Sequence, residues 1–154
     1  MGSHMSMDSK DKPKMPETER VARIFHECWD LRDPQRGAAV IAEDCRFEDM
    51  ARGERLPGRE GYLSDYHRWR EAFADGVVKL VNVIVQNTWA VVELVYRGTQ
   101  TGPLRSSLGT FPASGRRMEA RCCSVMRVEK GLVVEGRYYY DAASIARQLG
   151  CLDQ

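Results

Sequence analysis

The sequence predicts an α+β fold, with about three N-terminal helices, a long antiparallel meander and a short C-terminal helix. Three observations carry this. Apolar residues recur at helical spacing as far as Phe73. From Val77 onward the apolar period changes to two, the period of strands. Asp75-Gly76, a turn signal, lies between the two regimes.

The elements follow in order. "MGSHM" reads as an expression-tag remnant, and the polar stretch after it, with Pro13 and Pro16, as a disordered arm, so residues 1–16 are set aside. One domain is expected over residues 17–152. Glu17 to Leu31 forms a helix with Val21, Ile24, Phe25, Cys28 and Trp29 on one face and Thr18 as its N-cap. Asp33-Pro34 opens a second helix over 34–43. "DCRFEDM", 44–50, is a strand, and "ARGERLPG" a polar loop. A third helix runs from about Arg59 to Phe73, with Tyr62, Tyr66, Trp69 and Phe73 on one face. Strands follow in "VVKLVNVIV", "WAVVELVYRGTQT", "RRMEARCCSVMRVE" and "LVVEGRYYY"; "EKG" joins the last two as a hairpin. Residues 102–116 are a longer connection. "DAASIARQLG" closes the chain as a helix capped by Asp141 and stopped at Gly150. A bent sheet wrapped around helices can enclose an apolar pocket for a small molecule.

Composition narrows the function. The chain has 154 residues, 23 basic against 22 acidic side chains and a formal net charge of +1. That balance lacks the basic footprint of nucleic-acid or anionic-membrane binding. No run of about 18 apolar residues occurs, so no membrane span is expected. Five cysteines, odd in number and without a C-x-x-C pair, read as reduced thiols in a cytoplasmic protein. No metal-ligand cluster, phosphate-cradling glycine motif or nucleotide fingerprint appears, so no metal or cofactor is expected.

Within "DCRFEDM", alternation places Cys45, Phe47 and Asp49 on one face and Arg46, Glu48 and Met50 on the other. Asp49 thus points the way the core residues point. A carboxylate in an apolar pocket is desolvated, which suits general acid–base work. The plainer reading is that Asp49 caps the next loop or pairs with Arg52 or Arg55.

"YRGTQTGPL" (96–104), "PASGRRMEARCCSVMRVEKGLVVEGRYYYD" (112–141) and "RQLG" (147–150) resemble the SnoaL-like polyketide cyclase family. The resemblance covers most of Cys45 to Gly150. It implies the α+β cone shared with ketosteroid isomerase and nuclear transport factor, a hydrophobic pocket and a homodimer packed through the open face of the sheet. "DCRFEDM" followed by "GERLPGREGYLSDYH" is similar to the isomerase segment D-x-x-V-E-D-P, whose aspartate is the general base; Asp49 falls on that position. Other positions depart from the patterns. Ser124 stands where the isomerase has an acidic donor and the cyclases a histidine. Tyr138 stands at the cyclases' catalytic aspartate, and Phe25 near the isomerase's oxyanion tyrosine. Tyr140 falls where the isomerase has a pocket tryptophan.

The expected catalytic set is therefore Asp49, Ser124 and Tyr138. Ser124 could donate to a substrate carbonyl or to neighbouring backbone. Tyr138 and Tyr140 could donate or simply pack. Phe25, Phe47, Tyr66, Trp69, Tyr96, Cys122, Met126 and Tyr140 are the expected walls. Glu93 should face solvent, and Trp89 the pocket or the dimer contact. His26 reads as structural and His67 as a surface residue. Only one of Cys122 and Cys123 can face inward, as packing. The function implied is proton-transfer chemistry without a cofactor, namely isomerisation, cyclisation or dehydration of a hydrophobic, carbonyl-bearing polyketide or terpenoid. A non-catalytic ligand-binding or assembly module, or an epoxide hydrolase, is the alternative.

Overall fold

The computed structural model describes residues 14–107 and 109–152. Most of the expected tag remnant and arm lies outside the described residues.

Helix α1 (Glu17–Asp30) begins at Pro16 without a side-chain cap. Thr18, expected at the cap, is instead buried and donates to the Asn87 carbonyl at 2.9 Å, which ties the helix to a distant turn. Asp33 caps α2 (Pro34–Ala39) by accepting from the Arg36 amide. This helix stops short of the expected residue 43, because Val40 and Ile41 are β-branched and Ile41 already pairs with Val133.

Strand β1 (Ile41–Asp49) buries Cys45, Phe47 and Asp49 and exposes Asp44, Arg46 and Glu48, as alternation requires. The stretch read as a polar loop contains β2 (Glu54–Pro57), antiparallel to β1. Its proline is tolerated because β2 is an edge strand. Helix α3 (Gly58–Ala72) follows at once.

Strands β3 (Val77–Gln86) and β4 (Trp89–Thr99) form a hairpin, and β7 (Arg117–Glu129) and β8 (Leu132–Tyr140) a second. Lys130 and Gly131 both have positive φ at the second turn, as a two-residue hairpin loop prefers. The connection between β4 and β7 carries a small separate hairpin, β5 (Leu104–Ser106) with β6 (Gly109–Phe111). Asp141 caps α4 (Ala142–Gln148), and Gly150, at φ 75°, ends it.

The six-stranded sheet runs β2-β1-β8-β7-β4-β3. Every pair is antiparallel except β1–β8, so the sheet is mixed. Register shifts in β1, β3 and β7 bend it. Two apolar clusters fill the concave side. One joins Val21, Phe25, Ile41, Phe47, Val92, Met126 and Val133. The other joins Trp29, Tyr66, Phe73, Tyr96, Met118 and Ile145. Among the described residues no helix is long and apolar enough to cross a membrane.

Candidate active site

A cavity opens within the bent sheet. Trp29, Trp69, Tyr96, Tyr138 and Tyr140 give it aromatic walls, and Val78, Leu94, Ala120, Cys122 and Ile145 supply most of the rest. Three polar side chains interrupt this lining: His26, Asp49 and Asp65.

Asp49 is the last residue of β1 and is 1% exposed. The turn after it folds back, so that the Arg52 amide donates to Oδ1 at 3.0 Å and Arg52 Nε to Oδ2 at 2.8 Å. Tyr140, on the adjacent strand β8 and two residues beyond Asp49's register partner Tyr138, donates its hydroxyl proton to Oδ2 at 2.6 Å. The loop-capping and Arg52-pairing reading of Asp49 thus holds together with its place in the cavity wall. Arg52 also reaches Glu54 at 2.7 Å and Asp65 Oδ1 at 3.3 Å. Burial opposes the Arg52 charge, but its bond to Asp49 and the surrounding acids outweigh this and raise its pKa.

Asp65 enters from α3 and is also buried. Its three hydrogen bonds, from Arg52 Nη2 and from Arg68 Nε and Nη2, all fall on Oδ1. Oδ2 has no partner among the described residues. Burial raises the Asp65 pKa, and the Arg68 and Arg52 charges resist that rise. A carboxylate in this setting binds a proton more readily than one in water.

Tyr138 lies between this cavity and a smaller one lined by Phe25, Ile41, Cys45, Phe47, Leu56 and Tyr62, among others. Its ring packs on Phe47 at 4.7 Å. Phe47 lies across β8 because its register partner is Gly136, where a Cβ would come within 2.3 Å of the ring. The Tyr138 hydroxyl has no hydrogen-bond partner among the described residues. Burial raises its pKa well above the ordinary phenol value, so it remains a proton donor. Tyr140 is raised too, first by burial and then by its bond to Asp49.

His26 is fully buried on α1, and its Nε2 lies 2.7 Å from Ser124 Oγ on β7. Burial lowers its pKa to about 3, so the imidazole is neutral at physiological pH. Cys122 is pushed up to about 12 by burial and stays a thiol.

Of the expected site residues, Asp49, Tyr138, Trp69, Tyr96, Cys122 and Tyr140 line the main cavity. Five do not. Phe25 and Phe47 wall the smaller cavity. Tyr66 packs edge-on against Trp29, and Met126 is wholly within the core. Ser124 lies outside the cavity lining and bonds to His26 rather than to backbone. His26, read as structural, is buried and bonded to Ser124 and also borders the cavity, and Asp65 borders it without having been among the expected residues. The signals were in the helix spacing. His26 falls four after Ala22 and three before Trp29, and Asp65 falls three after Tyr62 and four before Trp69. Glu93 faces solvent, as expected. Among the described residues, no three His, Cys, Asp or Glu side chains gather as a metal site requires.

A family model described as SnoaL-like polyketide cyclase matches residues 19–149. No curated protein matches the chain in sequence. Among solved structures, TsrD from Streptomyces laurentii is similar at 26% identity and a TM-score of 0.76, covering 92% of this chain and 100% of that one. IdmH from Streptomyces antibioticus is similar at 22% identity and a TM-score of 0.71, over 88% of this chain and 99% of its own. A protein of ketosteroid isomerase-like fold from Catenulispora acidiphila, solved with trimethylamine, aligns at 17% identity and a TM-score of 0.70, over 86% and 93%.

Proposed function

The chain belongs to the SnoaL-like polyketide cyclase family, and from that premise we propose that it is an enzyme moving a proton on a hydrophobic, carbonyl-bearing small molecule, without a cofactor. A polyketide or terpenoid is the substrate class that the aromatic cavity suits. The observation that carries the reading is the pairing, in one apolar cavity, of buried carboxylates with a protonated phenol that has no acceptor among the described residues. Tyr138 would donate to the substrate oxygen. Asp49 would take the proton from the neighbouring carbon. Arg52 and Tyr140 hold that carboxylate in place through three hydrogen bonds, which leave one of its four acceptor positions open. Asp65, with Oδ2 free, is the second station in a reaction that removes a proton at one atom and returns it at another.

The test is incubation of wild type, Asp49→Asn and Tyr138→Phe with a small-molecule extract of the producing organism, followed by chromatography and mass spectrometry. Conversion at unchanged mass by wild type, reduced at least 100-fold in Asp49→Asn, is expected for isomerisation or cyclisation. Loss of water would specify dehydration, and gain of water an epoxide hydrolase. Equal retention of one compound by all three proteins, with no conversion, would make the cone a binding module.

We also propose a homodimer through the outer face of the sheet. Ile84, Val91 and Val125 form a row across three strands there, and Ile84 and Tyr139 are exposed.

A further inference from the structure

Ser124 Oγ and His26 Nε2 are each other's only hydrogen-bond partners among the described residues. A buried hydroxyl proton needs an acceptor, and the one within reach of Ser124 is Nε2. The serine therefore donates, and Nε2 accepts. A neutral imidazole carries one proton, which this contact leaves on Nδ1. That nitrogen has no partner among the described residues, and the ring lies in the wall of the main cavity. Burial keeps the ring neutral. The His26 and Tyr138 ring centroids are 6.2 Å apart, and both side chains line this cavity.

We propose that His26 Nδ1–H and the Tyr138 hydroxyl form a two-donor site for a developing oxyanion, with Ser124 as the positioning residue that sets the histidine tautomer. This rests on the carbonyl-substrate reading of the cavity. As a carboxylate takes the proton from carbon, charge gathers on the substrate oxygen, and both donors strengthen their bonds to it. When the proton returns to the substrate the charge disperses, and neither donor gives up its own proton. The ligand class that fits is an enolate, or a planar phenolate that mimics one.

Two measurements test this. Nitrogen NMR of protein labelled in its three histidines, with His26 identified by its loss in His26→Gln, reads the tautomer at pH 7. Protonated Nδ1 and acceptor Nε2 are expected in wild type, shifting toward protonated Nε2 in Ser124→Ala. The second uses 2-naphthol as an oxyanion probe, followed by fluorescence. His26→Leu and Tyr138→Phe should each weaken its binding about tenfold. His26→Gln, which keeps an N–H donor, should restore most of it. A proton on Nε2 in wild type, or equal binding by wild type and His26→Leu, overturns the proposal. The tautomer is read without turnover. A wrong tautomer therefore sinks the donor pair and leaves the proton-transfer reading standing, and an absence of turnover does the reverse.

Discussion

Asp49 and His26 are both polar, both buried and both in one cavity wall, yet alternation marks only Asp49. On a strand, period two leaves two faces, so a carboxylate in register with Cys45 and Phe47 is conspicuous. On a helix the buried arc is broad and grades into solvent. His26 and Asp65 sit at the margins of their apolar stripes, where spacing is weakest as a signal. His26 bonds to β7, and Asp65 to the turn after β1 as well as to Arg68 on its own helix, so chain folding supplies part of what local pattern lacks. The buried histidine has a measurable consequence. Its folded pKa of about 3 lies below its ordinary 6.5. Between those values the unfolded chain takes up a proton that the folded one refuses. The contribution is complete above pH 6.5 and is lost as pH falls, at roughly 1.4 kcal/mol per unit. Relative to His26→Gln, wild type should lose about 2 kcal/mol between pH 7 and pH 5 in urea unfolding. Parallel loss in the two proteins would contradict a neutral buried imidazole.

The elements were largely legible because each carries its own period and punctuation. The β7–β8 hairpin is written in "EKG", and α4 in Asp141 and Gly150. Strand β2 was not legible, because four residues containing Arg55 and Pro57 carry no alternation, and pairing with β1 alone makes them a strand. The parallel β1–β8 contact was equally hidden, since it joins segments separated by most of the domain. The junction from β2 into α3 depends on Gly58, at φ 59°, where a Cβ would meet the Glu43 carbonyl oxygen at 2.3 Å. Gly53 has a similar φ of 67° with nothing nearby. Gly53→Ala should cost about 1 kcal/mol from backbone conformation alone. Gly58→Ala should cost at least about 2 kcal/mol more, from the clash. Equal denaturation midpoints would show that the junction yields freely.

At the scale of the whole molecule, the bent mixed sheet has two faces. The concave face holds the cavity. On the convex face Ile84, Val91 and Val125 stand beside Arg137, whose guanidinium lies 5.8 Å from the Trp89 ring centre. If copies pair through this face, light scattering should give a dimer for wild type and a monomer for Val125→Arg, with unchanged circular dichroism. A wild-type monomer would contradict the dimer. In the proposed function, the family and the aromatic walls argue for the kind of ligand, and the carboxylates and phenol for the kind of step. The most direct measurement is conversion of the responsive extract component in deuterium oxide. Wild type should place deuterium on carbon in the product or in recovered substrate, and Asp49→Asn should place far less. Conversion by wild type with no deuterium on carbon in either species, or equal labelling by both proteins, would contradict proton transfer by Asp49.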